Sequence, residues 1–134
     1  MKITPPGRAG RRAPADHFTG EVWMDPLHDA PEPARANALL VTFLPGGRTN
    51  WHTHPYGQVL YVVSGVGRAQ SRGKPVQVIR PGDVIWFEPG EEHWHGAAPD
   101  APMAHIAVQE KGESGTADWL EPVADGDYAA VPST

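Results

Sequence analysis

Turn-forming residues divide this chain into many short apolar runs. The 134 residues include 15 glycines and 15 prolines, which recur in clusters such as PGG at 45–47, SGVG at 64–67, RPGD at 80–83 and PGEE at 89–92. These clusters end regular elements, because glycine adopts turn conformations and proline lacks a backbone donor. Their spacing leaves no room for a helical bundle and predicts an all-β sandwich or barrel.

The runs between the turns have the composition of strands. We predict strands at 17–24, 38–44, 51–54, 58–63, 68–70, 76–79, 84–87, 93–95 and 103–109. The prolines at 25–33 predict a loop, and a short helix is predicted only within 124–130. Residues 1–15 contain adjacent prolines, three arginines and little apolar content, which predicts a flexible or draped arm before a single domain at 16–134.

Composition narrows the function. Because there is no cysteine, disulfides, zinc knuckles and thiol nucleophiles are excluded, and histidine must build any soft-metal site. No apolar run is long enough to span a bilayer and the N-terminus lacks a secretory apolar segment, so we expect a cytoplasmic protein without a membrane partner. A net charge of −5, with basic residues clustered only in the arm, argues against nucleic acid and favours a small-molecule partner.

The segment WHTHPYGQ at 51–58 carries the strongest chemical signal. Residues two apart in a strand share a face, so His52 and His54 point to the same side and can bind one metal. Gln58 starts the next candidate strand and can approach that metal across the intervening bend. His93, directly after PGEE, is the best candidate for a third ligand.

Two segments resemble the conserved motifs of the cupin superfamily. At 46–65 a glycine is followed by five residues, His-x-His, three residues, Gln58 in place of the usual glutamate, six residues and a glycine. GDVIWFEPGEEHWHGA at 82–97 resembles the second motif, whose histidine is His93. The resemblance implies a cupin double-stranded β-helix, a small jelly-roll barrel holding one divalent metal on His52, His54, Gln58 and His93. The alternative for Gln58 is a hydrogen bond to the ligands.

A neutral glutamine in place of glutamate changes the chemistry of such a site. Three imidazoles and an amide leave a divalent ion with its full charge, which favours Lewis-acid over redox chemistry. Mn²⁺ or Fe²⁺ suits a mixed nitrogen and oxygen set, and Zn²⁺, Ni²⁺ or Co²⁺ are further alternatives. We expect Mn²⁺.

Further polar residues are candidates for proton transfer. In MAHIAVQ at 103–109 the strand period places His105 and Gln109 on one face, where a neutral His105 can act as a general base. His95 shares a strand face with His93 and is either a second acid/base or a residue at the barrel mouth. The alternative for His105 is a packed core residue.

The walls of the pocket are predicted from alternation and from the flanks of the metal motif. Leu39 and Val41 lie on one face of their strand and form an apolar wall. Thr49 and Trp51 flank the histidines and are predicted to shape the entrance. Trp86 and Trp94 are interpreted as core residues.

Nearly the whole chain after the arm is similar to small bacterial cupins that act as manganese-dependent hydroxynitrile lyases. In that family the histidine matching His105 acts in catalysis. The resemblance implies a lyase that cleaves or forms cyanohydrins such as mandelonitrile, and a homo-oligomer, dimer or tetramer. The alternatives are an iron- or manganese-dependent dioxygenase and a non-catalytic metal-dependent binding module.

Overall fold

The computed structural model describes residues 1–6 and 10–133, so residues 7–9 of the predicted arm and Thr134 lie outside the described residues. Within the described ranges the chain forms short strands and one four-residue helix. The elements are β1 Arg11–Arg12, β2 Phe18–Thr19, β3 Val22–Asp29, β4 Ala36–Phe43, β5 Arg48–Thr49, β6 His52–Thr53, β7 Gln58–Gly65, β8 Gly67–Ser71, β9 Gln77–Ile79, β10 Val84–Phe87, β11 His93–Ala97, β12 Met103–Glu110, β13 Asp118–Trp119 and α1 Asp125–Tyr128.

The first sheet carries the long strands. Its order is β1-β3-β4-β12-β7-β10, and every neighbouring pair is antiparallel. Alternation along β12 buries Met103, His105, Ala107 and Gln109, while Val108 faces solvent. This confirms the predicted face of that strand and places two candidate site residues on the inner side of the sheet.

The second sheet brings the two histidine motifs together. Its order is β13-β6-β11-β5-β2, with β8 pairing β11 and β9. In this sheet His93 of β11 lies opposite His52 of β6. A Cβ at Gly96 would lie 2.4 Å from the carbonyl oxygen of Gly47, so only glycine allows β11 to approach this segment so closely.

The core lies between the two sheets. Phe43, Leu60, Val62 and Met103 of the first sheet pack with Phe18, Ala69, Ile79 and Ala97 of the second, and Phe87 joins the same cluster. A second cluster contains Trp51, Val76, Trp94, Val123 and Tyr128, beside α1. The architecture confirms the all-β prediction, and α1 lies within the predicted helical segment. Trp94 is a core residue as predicted, whereas Trp86 is half-exposed.

Two segments differ from the expectation. The proline-rich stretch predicted as a loop extends β3 as far as Asp29, with a register shift between Pro26 and His28 where a proline interrupts the ladder. Within the predicted arm, Arg11 and Arg12 pair with Trp23 and Met24 at the edge of β3. That end of the arm is therefore draped on the first sheet. The domain boundary at residue 16 stays a prediction.

Across the described ranges, no helix has the length and apolar character needed to cross a membrane.

Candidate metal centre

Three histidine rings are each held from behind by a backbone carbonyl. The Nδ1 atoms lie 2.9 Å from the Asn50 oxygen for His52, 2.5 Å from the Thr116 oxygen for His54, and 2.8 Å from the Glu91 oxygen for His93. A carbonyl only accepts, so each Nδ1 carries the hydrogen of its neutral ring and each Nε2 keeps a lone pair. Metal-binding histidines are commonly oriented in this way.

The contact between His93 and Gln58 fits a bound cation. The Gln58 amide nitrogen donates to Oε1 of Gln109 at 3.0 Å, so the Gln58 oxygen faces Nε2 of His93, also at 3.0 Å. Two buried acceptors therefore face each other without a hydrogen between them. Adjacent octahedral ligands about 2.1 Å from an ion lie about 3.0 Å apart, so a divalent ion satisfies both atoms.

Burial keeps these rings neutral. It lowers the pKa of His93 to about 4 and that of His52 well below the ordinary value, with the neighbouring histidines acting in the same direction on both. Burial also lowers the pKa of His54, against an opposing hydrogen bond to the backbone of Thr116. Phe87 stacks on His93 with ring centroids 3.7 Å apart. The rings can therefore offer lone pairs near neutral pH.

The structure adds His95 to the cluster. Ring nitrogens of His52, His93 and His95 all lie within 4.8 Å of one another, and all three side chains are buried. The His54 ring centroid lies 5.0 Å from that of His52 and 5.6 Å from that of His93, and its Nε2 atom is buried without a hydrogen-bond partner. Three buried histidines can thus hold a metal, with His54 and Gln58 beside them.

His95 and His105 form a hydrogen-bonded pair next to this cluster. Nε2 of His105 lies 2.9 Å from Nδ1 of His95, and the outer nitrogens, Nε2 of His95 and Nδ1 of His105, are buried without hydrogen-bond partners. Burial lowers the pKa of His105 to about 4, and burial together with the neighbouring His105 lowers the pKa of His95 well below its ordinary value. The pair is neutral and shares one hydrogen.

A narrow cavity of about 80 Å³ joins the metal-binding groups to the histidine pair. Leu39 and Val41, which were predicted from strand alternation, line the cavity, and so does Thr49, which was predicted from its position beside the histidine motif. All the histidines and glutamines that line the cavity are predicted site residues, namely His52, His54, Gln58, His95, His105 and Gln109. His93 lies behind the lining, against Phe87 and Gln58.

Trp51 does not line the cavity, which corrects its placement at the entrance. It belongs to the second core cluster with Trp94 and Tyr128, and the guanidinium of Arg72 lies 4.1 Å from the centre of its ring. The physical reason is the same alternation that directs His52 inward, because adjacent residues of an extended chain face opposite sides.

Several cavity residues have no signal in the sequence pattern. Trp119 stacks on His52 with ring centroids 4.7 Å apart, and Thr116 and Ala117 line the cavity beside it. Phe18 and Met24 complete the wall. β13 has only two residues, too few to show a period, so no pattern in the sequence indicated Trp119.

The two facing sheets, with histidines from β6 and β11 directed between them, define a cupin. The cupin domain family model matches residues 39–109, more than half of the chain, and the chain belongs to this family.

Known relatives cover almost the whole chain. It is 54% identical over 121 residues to an (R)-mandelonitrile lyase of Granulicella tundricola, covering 90% of this chain and 92% of the relative. The crystal structure of a cupin-like protein of Thermotoga maritima has a TM-score of 0.85 and 40% identity, covering 93% of this chain and 95% of that one. A predicted oxalate decarboxylase of the same organism, 23% identical with a TM-score of 0.70, covers 81% of this chain and 96% of its own, and shares the fold.

Proposed function

We propose that this protein is a metal-dependent hydroxynitrile lyase, which cleaves or forms cyanohydrins such as mandelonitrile. The observation that carries the proposal is the neutral His95–His105 pair, which lies in the same cavity as His52, His54 and Gln58, three of the four ligands expected for the metal. The high identity to an (R)-mandelonitrile lyase over nearly the full length supports the same reaction class.

His105 is the proposed general base. Its low pKa keeps the ring unprotonated near neutral pH, so it can accept the hydroxyl proton of a cyanohydrin. The electrons of that O–H bond form the carbonyl, and the carbon–carbon bond breaks with its electron pair on cyanide. Cyanide then takes this proton back from the histidine pair. The 2.9 Å contact between His95 and His105 lets either ring hold the proton in the meantime. Aldehyde and hydrogen cyanide are the balanced products.

Other residues orient the substrate. Leu39 and Val41 offer an apolar wall for an aromatic ring, and the hydroxyl oxygen of Thr49 accepts a hydrogen bond from the backbone of His95 at 3.3 Å, which fixes that strand. We propose Mn²⁺ on His52, His54, Gln58 and His93, with Fe²⁺, Zn²⁺, Ni²⁺ and Co²⁺ as alternatives. A bound divalent ion supplies positive charge that stabilises negative charge developing on substrate oxygen.

Cyanide release from (R)- and (S)-mandelonitrile tests the proposal. The metal content of the purified protein is measured first, and the assay then compares the parent, His105→Ala and His28→Ala, all loaded with Mn²⁺. His28 is an exposed histidine of β3, so its variant is the matched control. We expect His105→Ala to lose at least about 100-fold in kcat/KM and His28→Ala to lose nothing.

Two results would contradict the proposal. If His105→Ala at full metal content were as active as the parent, His105 would not be the general base. Oxygen uptake with a diketone or a flavonol, without any cyanide release from cyanohydrins, would instead favour the dioxygenase alternative.

A further inference from the structure

Four side chains form a hydrogen-bonded row across the first sheet. Asp29, Asn37, Gln109 and Gln58 lie directly opposite one another on β3, β4, β12 and β7. Gln58 donates its amide nitrogen to Oε1 of Gln109 at 3.0 Å, and Gln109 donates its own to Oδ1 of Asn37 at 2.5 Å and to the backbone oxygen of Asn37 at 3.3 Å. Asp29 lies opposite Asn37 and pairs with Lys111 at 2.5 Å, and Lys111 and Asn37 both lower the pKa of its carboxyl group. We call these four residues the amide row.

The outer end of the amide row determines its direction. An ionised carboxylate only accepts hydrogen bonds, so Asp29 takes the amide nitrogen of Asn37 and leaves the Asn37 oxygen for Gln109. Gln109 must then turn its oxygen to Gln58, and Gln58 must turn its nitrogen to Gln109. The Gln58 oxygen is left facing His93. Turning any one amide around would set two oxygens or two NH₂ groups against each other.

The direction of the amide row determines whether Gln58 can bind a metal, because only one of the two polar atoms of a glutamine side chain can be a metal ligand. The amide oxygen carries lone pairs, whereas the amide nitrogen does not donate an electron pair. We propose that Asn37 is a positioning residue: acting through Gln109, it holds the Gln58 amide so that its oxygen and not its nitrogen faces the metal-binding histidines. The inference rests on the proposed metal centre. In it Gln109 connects Asn37 to Gln58 through one hydrogen bond to each.

The Mn²⁺ dissociation constant tests the positioning role. It is measured on metal-stripped protein from the electron paramagnetic resonance signal of free Mn²⁺, for the parent, Asn37→Leu and Asn37→Asp. Leucine removes both hydrogen-bonding groups of the side chain and leaves only the 3.3 Å contact to the backbone oxygen, whereas aspartate still accepts from Gln109 through its side chain. We expect Asn37→Leu to weaken binding about 10- to 100-fold, the usual range for residues behind metal ligands. Asn37→Asp should stay within about 3-fold of the parent.

The same substitution in a Gln58→Glu background separates orientation from general structural damage. A carboxylate presents oxygen whichever way it turns, so Asn37→Leu should no longer weaken Mn²⁺ binding there. If Asn37 merely supports the fold, its removal will weaken binding equally in both backgrounds, and that result would overturn the proposal. Should Asn37→Leu fail to fold, Asp29→Asn removes the group that sets the direction and is expected to weaken binding by a few-fold.

A metal-independent measurement distinguishes failure of this inference from failure of the proposed function. In protein labelled with ¹⁵N-glutamine and stripped of metal, the Gln58 side-chain amide hydrogens should exchange more slowly than those of the exposed Gln77. Asn37→Leu should accelerate that exchange. Fast exchange in the parent would overturn the amide row even if Mn²⁺ binds. If the parent bound no Mn²⁺ but its Gln58 amide hydrogens exchanged slowly, the amide row would be supported. Its role at a metal centre and the proposed lyase activity would both be contradicted.

Discussion

Nε2 of His105 lies 2.9 Å from Nδ1 of His95, and both rings are buried. Each ring has a second nitrogen without a hydrogen-bond partner, so protonation of either ring would place an uncompensated charge in the protein interior. The pair therefore stays neutral in the folded chain, whereas the same histidines titrate freely in the unfolded chain.

This difference predicts how stability depends on pH. The unfolded His105 binds a proton near pH ~6.5, while burial lowers its folded pKa to about 4. Between these values the unfolded state binds more protons, so the free energy of unfolding falls as the pH falls. From His105 alone we expect a loss of about 2 kcal/mol between pH 7.5 and pH 5 in metal-free protein.

Urea unfolding at the two pH values measures this loss. His105→Gln lacks the titrating ring and should lose correspondingly less, whereas His28→Ala, on the exposed side of β3, should follow the parent. If His105→Gln lost as much unfolding free energy between pH 7.5 and pH 5 as the parent, the low pKa of His105 would be contradicted.

A second prediction concerns the charge of the metal site. Gln58→Glu retains an oxygen ligand but adds a negative charge, so Mn²⁺ binding should persist while the Lewis acidity falls. We expect cyanide release to drop about 10-fold at unchanged metal content. Gln77→Glu adds the same charge at an exposed position of β9 and should have no effect. Equal rates for Gln58→Glu and the parent would mean that the glutamine has no electronic role.

The fold could be predicted because its signals are local. Glycine and proline clusters mark the turns, and the period of two along 103–109 places His105 and Gln109 on the buried face that the structure gives them. The second half of β3, from Asp25 to Asp29, could not be predicted, because its continuation through Pro26 depends on pairing with β4, and pairing to another strand overrides the local preference of proline.

The site could be predicted only as far as residue types and alternation reach. The expected ligands His52, His54, Gln58 and His93 lie close together, and alternation alone would have directed Trp51 away from the cavity. Asn37 carried no signal, because its role depends on the cross-strand register with Gln109. The position of His95 near His52 and His93 also depends on strand pairing, because β11, which carries His93 and His95, pairs with β6, which carries His52.

The outer face of the first sheet supports the prediction of a homo-oligomer. Tyr61 and Val84 lie opposite each other on β7 and β10, and with Trp86 they are 48%, 66% and 52% exposed. Adjacent apolar side chains of this size commonly mark an interaction surface. We expect the parent to form a dimer or tetramer in light scattering after gel filtration, and Trp86→Asp to dissociate it.

Val131→Asp is the matched control for that experiment, since it adds the same charge at an apolar residue that is exposed near the C-terminus. It should leave the assembly intact. A monomeric parent, or an assembly that Trp86→Asp does not change, would contradict the use of this surface.

The apolar wall of the cavity predicts a change in substrate preference. Leu39 lines the cavity, whereas Leu40 follows it on the same strand and points to the outer face of the sheet. Leu39→Ala removes apolar volume beside the site, so the ratio of kcat/KM for a naphthaldehyde cyanohydrin to that for mandelonitrile should rise about 10-fold. Leu40→Ala removes the same atoms outside the cavity and should leave the ratio unchanged. Equal ratios for the two variants would mean that Leu39 does not contact the aromatic ring of the substrate.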